Sequence, residues 1–144
     1  MITVEHSIII NKPVREVFDF VCSEGSYKKY MPEVMEVIES PGPRNTVGWT
    51  FTEVRKFMGR KMRTTYEVTA CEPNVKWAYK VSQGPIFYER TTTFEASNGG
   101  TKYTTNVTGE PKGFFKVAEG MVASQLEKTM LESLQRLKDY LEKG

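Results

Sequence analysis

The chain has 144 residues, of which 39% are hydrophobic and 26% charged, and its formal net charge is +2. This length suits one domain spanning residues 1–144, and the balance of apolar and charged residues excludes a disordered chain. Basic residues are interleaved with acidic ones and form no basic stripe, so we expect no nucleic-acid partner.

The N-terminal part predicts a strand followed by two helices. Residues 2–11 are rich in β-branched side chains, which favour a strand. Pro13 then suits the first turn of a helix, which we predict over residues 13–21. The apolar face of this helix would consist of Val14, Val17, Phe18 and Val21, at helical spacing. A second, short helix is expected after Gly25.

From Val34 to Glu110 the chain alternates apolar and polar residues with the period of a strand. Turn residues interrupt this segment at 41–43, 59, 73–74, 84–85 and 98–100. Six consecutive antiparallel strands are therefore predicted.

After Gly113 the period becomes helical, and residues 114–141 are predicted to form one helix of about 42 Å. A helix of this length has to cross the whole sheet. The apolar stripe drifts around the helix axis, so the helix is expected to lie obliquely or to bend near Gly120. The stripe comprises Ala118, Val122, Leu126, Met130 and Leu134, with Met121 beside it.

The turn positions also predict which residues of neighbouring strands pair, because a turn sets the register of its hairpin. Turns at 59–60, 72–75, 83–84 and 98–99 place Glu53 opposite Tyr66, Ala70 opposite Trp77, Val68 opposite Tyr79, Tyr79 opposite Tyr88, Trp77 opposite Arg90 and Phe94 opposite Tyr103. All four turns agree on a single aromatic face.

One face of the predicted sheet is therefore aromatic, whereas the other carries lysines, glutamates and threonines and belongs in water. The aromatic face needs a cover, and the C-terminal helix is the predicted element of suitable length and amphipathicity. We predict a ligand cavity between them, lined by Trp49, Phe51, Glu53, Arg55, Tyr66, Trp77, Tyr79, Tyr88, Arg90, Phe94, Tyr103 and, from the helix, Met121.

Glu53, Arg55 and Arg90 are the charged residues on this inner face. Burying them unpaired in a filled core would be costly, so they favour an interior that holds water or a polar ligand group. Two plainer interpretations stay open. The three charges could pair with one another or lie near the open edge, and the aromatic residues could form an ordinary packed core.

Short motifs along nearly the whole chain support a family resemblance. They are residues 12–18, the 47–49 strand opening, residues 58–62 and 66–69, Glu72-Pro73, Gly84-Pro85, Phe94-Glu95, residues 100–102, and the closing Leu134, Leu137 and Leu141. In these the chain resembles the START-like, birch-pollen-allergen-like helix-grip superfamily (SRPBCC), specifically its polyketide cyclase/dehydrase-type members.

The resemblance implies an α+β helix-grip fold. In that fold a curved seven-stranded antiparallel sheet wraps around a long C-terminal helix, and two short helices after the first strand close one end of the cavity. Similar proteins bind and carry lipids, sterols and polyketides, and a minority are cyclases or other enzymes. The fold alone does not decide between these activities.

The sequence does not indicate a metal site or a nucleotide-binding site. A metal site needs clustered ligands, yet His6 is the one histidine and the two cysteines are distant. His6 is interpreted as an ordinary residue of the first strand. The glycines at 59, 84 and 99–100 lie in predicted hairpin turns, so no nucleotide loop is indicated. No metal and no cofactor are expected.

Cys22 and Cys71 lie outside any CxxC pattern, which favours buried, reduced thiols. The N-terminus lacks a cationic start followed by an apolar signal region, and no apolar run is long enough to span a bilayer. We therefore expect a cytoplasmic protein without integral membrane association.

Three functional hypotheses follow. The favoured one is a non-catalytic binder that transports or sequesters a hydrophobic small molecule, such as a lipid or polyketide-like compound, with Arg90 at its carboxylate or hydroxyl head group. The alternative is a cyclase, dehydratase or hydrolase in which Glu53 transfers a proton and Tyr66 or Arg90 polarises a carbonyl. The third is a protein-interaction or chaperone-modulating module. A monomer or weak homodimer is expected.

Overall fold

The computed structural model describes residues 1–31, 33–111 and 113–143. Within them the elements follow the order β1 (Ile2–Ile10), α1 (Val14–Val21), α2 (Tyr27–Tyr30), β2 (Val34–Glu39), β3 (Thr50–Phe57), β4 (Arg60–Glu72), β5 (Lys76–Gln83), β6 (Ile86–Ser97), β7 (Gly100–Pro111), α3 (Phe114–Val117) and α4 (Glu119–Lys143). The strands form one seven-stranded antiparallel sheet in the order β1-β7-β6-β5-β4-β3-β2. The predicted α+β architecture is confirmed.

Helix α1 begins where Pro13 permits it. Pro13 has an extended ψ of 149°, and its carbonyl accepts the first helical hydrogen bond, from the Val17 N–H at 3.1 Å. The face that α1 buries carries Val17, Phe18 and Val21, as predicted from their spacing. The Phe18 ring meets Phe94 of β6 edge-on, with 5.1 Å between centroids. This contact fixes α1 on the inner side of the sheet.

The hairpin between β3 and β4 turns at Met58 and Gly59, one residue earlier than predicted. Both residues have positive φ, 51° and 76°, which is typical of a type I′ turn. Glu53 consequently lies opposite Thr64 and not opposite Tyr66. This shifts the pairing by two residues, and because strand side chains alternate, each side chain keeps its predicted face.

The next two hairpins also depart from the predicted pairing, one by a two-residue shift and the other at a bulge. Tyr79 lies opposite Arg90 and not opposite Tyr88, again a shift of two residues. A bulge between Val68 and Ala70 moves Trp77 from opposite Ala70 to opposite Cys71. The predicted pairs of Val68 with Tyr79 and of Phe94 with Tyr103 are confirmed.

The C-terminal segment forms two helices, so the prediction of one helix over 114–141 was wrong at Ala118. Helix α4 begins its hydrogen bonding there, since the Val122 N–H donates to the Ala118 carbonyl at 2.9 Å. The break lies close to Gly120, where a bend was expected. Helix α4 packs against β1 and α2.

Met121 does not face the sheet, so its predicted place in the interior was wrong. Its residue exposure is 66%, whereas that of the next residue, Val122, is 0%. Successive helical residues are about 100° apart around the axis, so the burial of Val122 turns Met121 outward.

Cys22 is buried and Cys71 half-buried, and both are free thiols. Of the helices within the described ranges, none combines the length and the apolar character needed to cross a bilayer.

Candidate ligand-binding cavity

A cavity of about 30 Å³ lies between helix α4 and the inner face of the sheet. This volume accommodates about two water molecules or a small functional group. Its walls combine apolar side chains with charged groups and hydroxyls, namely Met31, Glu33, Arg55, Tyr88, Arg90, Val107, Leu126, Thr129, Met130 and Ser133.

Helix α4 supplies one wall through residues on a single helical face. Leu126 and Met130 are four residues apart, and so are Thr129 and Ser133. The first pair belongs to the apolar stripe seen in the sequence. The second pair was not predicted, although the four-residue spacing of two small hydroxyl residues beside that stripe was a usable signal.

Most of the predicted aromatic residues fill the space beside the cavity and do not line it. The Phe51 ring stacks on Tyr66 with 5.1 Å between centroids, and Trp77 contacts Tyr79 at 5.1 Å. Tyr27 of α2, which was not predicted, stacks on Phe51 at 5.6 Å. Trp49 and Tyr30 also belong to this aromatic cluster. For these residues the packed-core interpretation describes the structure.

Phe94 and Tyr103 form a second aromatic group that does not line the cavity. Their ring centroids are 5.4 Å apart, and Phe94 also contacts Phe18 of α1. Of the twelve residues predicted to line a ligand cavity, Arg55, Tyr88 and Arg90 do so in this structure.

Arg55 is the centre of a buried ion-pair network. Its Nε donates to Glu53 Oε1 at 2.5 Å, and its Nη1 donates to Glu33 Oε1 at 3.4 Å. Glu53 is 2% exposed and Arg55 8%. Two of the three charges expected on the inner face, Glu53 and Arg55, therefore pair with each other. Burial raises the pKa of Glu33, and the Arg55 charge offsets part of that rise.

Besides its pair with Arg55, Glu53 is connected to the cavity through two tyrosines. The Tyr66 hydroxyl donates to Glu53 Oε1 at 3.0 Å, and the Tyr66 and Tyr88 hydroxyls are hydrogen-bonded to each other. Burial raises the pKa of Tyr66 and of Tyr88, so both phenols keep their protons at physiological pH. Gly109 lies opposite Tyr88, and a Cβ there would come within 2.5 Å of the Tyr88 Cβ.

Arg90 differs from Arg55 because its guanidinium has no hydrogen bond or ion pair with the described residues. It lines the cavity, where burial disfavours its charge, whereas the oxygens of Tyr79 and Tyr103 favour it. On balance the pKa of Arg90 is raised. The cavity thus presents a permanent cation whose donors are unused.

All but one of the lining residues that the prediction missed come from outside the sheet; the exception is Val107 of β7. Met31 and Glu33 belong to the connection between α2 and β2, and Glu33 reaches the Arg55 guanidinium from there. No period or turn signal predicts where such a connection lies, so their position depends on the packing of α2.

Comparison with known proteins places the chain among proteins of this architecture. The model of the family described as "Polyketide cyclase / dehydrase and lipid transport" matches residues 1–142. None of the curated proteins matches the chain.

Similar solved structures include TTHA0849 from Thermus thermophilus, at 20% identity and a TM-score of 0.83 over 95% of this chain and 94% of that one. A START superfamily protein from Mycobacterium smegmatis is 14% identical, with a TM-score of 0.82 over 98% of this chain and 97% of that one. The di-domain ARO/CYC BexL of the BE-7585A biosynthetic pathway is 16% identical, with a TM-score of 0.76 over 99% of this chain and 47% of that one. At these identities the likeness concerns the fold.

Proposed function

The chain belongs to the polyketide cyclase/dehydrase and lipid transport family, and on that premise we propose that it binds a hydrophobic small molecule between the sheet and α4. The head group of the ligand is acidic or carries a carbonyl, and binding serves transport or sequestration. Family membership agrees with the resemblance inferred from the motifs.

The unpaired guanidinium of Arg90 carries this proposal. Arg90 is half-buried, and a charge that is partly removed from water and has no partner is costly. Folded proteins retain such a charge where a ligand or water completes its hydrogen bonds. Met130 and Val107 line the same cavity, so an anionic or carbonyl head group at Arg90 would continue into apolar surroundings.

The cavity is small for a complete hydrophobic ligand. Its volume of about 30 Å³ suits the head group, and the apolar portion needs additional space. Leu126 and Met130 of α4, together with Met31 at the end of α2, form an apolar wall of the cavity. Methionine has three rotatable bonds and repacks readily, so ligand binding is expected to displace these side chains.

Displacement of a fluorescent fatty-acid probe by decanoate tests the proposal. We expect wild type to bind the probe and Arg90→Gln to weaken decanoate binding about 10- to 100-fold, the worth of a charge-assisted hydrogen bond. Arg63→Gln is the matched control, because Arg63 is exposed on the outer face of β4. No probe uptake by wild type, together with no bound small molecule in native mass spectrometry, would refute the proposal.

A second candidate function is proton transfer to a bound polyketide-like substrate. The observation that favours it is the hydrogen-bonded chain from Glu53 through Tyr66 to Tyr88 at the cavity wall. Such a chain can exchange a proton between a substrate at Tyr88 and the buried carboxylate, with Arg90 polarising a carbonyl.

Turnover of a panel of poly-β-keto thioesters tests this candidate. Glu53→Gln and Tyr88→Phe should each reduce the rate about 100-fold or more, in the range of general acid–base catalysis. Glu67→Gln, on the outer face, should not change the rate. Equal turnover by wild type and Glu53→Gln would eliminate the enzymatic candidate and leave the binding proposal standing.

A further inference from the structure

The hydrogen bonds behind Tyr88 have a defined direction. Glu53 is ion-paired with Arg55, so it is a carboxylate and can only accept hydrogen bonds. Tyr66 has a single hydroxyl hydrogen, and its bond to Glu53 uses it. In the bond between the two tyrosines, Tyr88 must therefore be the donor.

This direction determines what Tyr88 offers to the cavity. Its one hydroxyl hydrogen is committed to Tyr66, and its oxygen retains an unused lone pair. Tyr88 lines the cavity, so that oxygen can accept a hydrogen bond from a ligand and cannot donate one. A ligand group that meets it favourably must carry a hydrogen of its own.

Arg90 offers the opposite property on the same strand. Tyr88 and Arg90 are two residues apart on β6 and both line the cavity. Their Cα atoms are thus about 7 Å apart, within the reach of one small molecule. Arg90 can only donate, and its donors are unused by the described residues.

The other polar groups of the wall do not oppose this pattern. The hydroxyls of Thr129 and Ser133 can donate or accept, so they adapt to either kind of ligand group. Glu33 is an acceptor already engaged by Arg55. Arg55 also lines the cavity and can only donate, but its guanidinium already donates to Glu53, Glu33 and Met31. The groups that offer a ligand an unused position of fixed direction are consequently an acceptor at Tyr88 and a cationic donor at Arg90.

We propose that the ligand is a hydroxylated acid, in which a carboxylate binds Arg90 and a hydroxyl donates to Tyr88. This inference rests on the proposed binding function and specifies the ligand class. The same pair of groups occurs in aliphatic hydroxy acids and in phenolic acids with aromatic rings, which are the lipid-like and polyketide-like versions of this chemistry.

Two matched ligand series test the inference by displacement of the fluorescent fatty-acid probe. The aliphatic series is decanoate, 3-hydroxydecanoate and 3-methoxydecanoate, and the aromatic series is 2-naphthoate with its 6-hydroxy and 6-methoxy derivatives. In at least one series we expect the hydroxy acid to bind about 3- to 10-fold more tightly than the methoxy acid, the worth of one hydrogen bond. The series that shows the preference identifies the source of the ligand.

Two variants separate hydrogen-bond direction from shape. Tyr88→Phe should abolish the hydroxy-over-methoxy preference, because the phenyl ring has no oxygen to accept from the ligand hydroxyl. Tyr66→Phe releases the Tyr88 hydrogen, so Tyr88 can then donate, and the methoxy acid should gain about 3- to 10-fold. Tyr140→Phe, an exposed site on α4, is the control and should retain the wild-type preference.

The outcomes distinguish this inference from the function on which it rests. If no acid of either series binds wild type, both are refuted. If acids bind but hydroxy and methoxy forms are equal in both series, the hydroxylated-acid inference is refuted and the binding function stands. A preference that survives Tyr88→Phe also refutes it, and a thermal unfolding scan establishes that each variant is folded.

Discussion

At the scale of single residues, Arg55 and Arg90 show how context separates two similar side chains. Both are arginines on the inner face of the sheet, yet Arg55 contacts two carboxylates and Arg90 contacts none among the described residues. In a buried ion pair the two opposite charges compensate each other, so neither is free to bind a ligand. An unpaired cation remains available for one. This difference supports a structural role for Arg55 and a binding role for Arg90.

Replacement of Arg55 should be strongly destabilising. Arg55→Met leaves the Glu53 carboxylate buried without its cation, and we expect a loss of about 3–5 kcal/mol in the free energy of unfolding by urea. Adding Glu53→Gln should restore part of it, because a neutral amide needs no cation. The control Arg15→Met lies at an exposed ion pair and should cost less than about 1 kcal/mol. No difference between the Arg55 and Arg15 variants would contradict a buried pair.

The pH dependence of stability should change in Glu33→Gln. Burial raises the pKa of Glu33 in the folded state, so the folded protein binds this proton more tightly than the unfolded chain does. Ionisation of Glu33 then removes stability as the pH rises from its ordinary pKa, about 4.3, through the raised value. We expect the variant to match wild type near pH 4 and to be the more stable protein near pH 7, measured by urea unfolding. If Glu33→Gln instead becomes less stable than wild type toward pH 7, the attraction of Arg55 for the Glu33 carboxylate outweighs the effect of burial on the pKa of Glu33.

At the scale of elements, the effect of adding a side chain in a turn or at a helix end depends on the backbone conformation there more than on contacts with neighbouring side chains. Gly59 and Gly120 illustrate this, because a Cβ added at either would meet no atom within 4 Å. They differ in backbone: Gly59 has a φ of +76° in the β3–β4 turn, whereas Gly120 lies in the first turn of α4. The same substitution should therefore have opposite effects at the two sites.

Gly120→Ala should stabilise the protein by about 0.4–1 kcal/mol, because alanine restricts the unfolded chain and suits a helix. Gly59→Ala should destabilise it by about 1–2 kcal/mol, because a side chain is strained at positive φ. Urea unfolding of both variants measures the two values. If both substitutions changed the free energy of unfolding in the same direction, either the helical position of Gly120 or the type I′ turn at Gly59 would be contradicted.

At the scale of the whole molecule, side chains fill most of the space between the sheet and α4 and leave a small cavity. The aromatic cluster of Tyr27, Tyr30, Trp49, Phe51, Tyr66, Trp77 and Tyr79 fills much of the interior, and a cavity of about 30 Å³ stays open beside Arg90. Ligand binding and core packing consequently compete for the same space. A truncation that enlarges the cavity should weaken the fold and favour the ligand.

Met130→Ala tests this competition. Met130 is buried and lines the cavity, so its truncation should cost about 2–5 kcal/mol of stability and also tighten decanoate binding. Leu137→Ala is the matched control, because Leu137 is buried on α4 but does not line the cavity. It should lose comparable stability without a gain in binding. Tighter binding in both variants would indicate a general loosening and not a local competition.

The sequence alone determined the order of the elements and the face on which each strand residue lies. Alternation and turn residues are local properties, and the two-residue errors at Gly59 and at Tyr79 left both faces unchanged because the strand period is two. The inward positions of Glu53, Arg55 and Arg90 followed from the same rule. The resemblance to the family rested on motifs of this local kind.

Only the tertiary structure decided which inward residues border open space. Glu33 pairs with Arg55 across a long separation in sequence, the predicted C-terminal helix is interrupted at Ala118 between α3 and α4, and Met121 turns outward because Val122 is buried. A cavity is the space left between surfaces of separate elements, so its walls depend on how α2 and α4 pack on the sheet. Local periodicity contains no information about that packing, which is why Trp77 and Tyr79 fill the core while Arg90 faces the cavity.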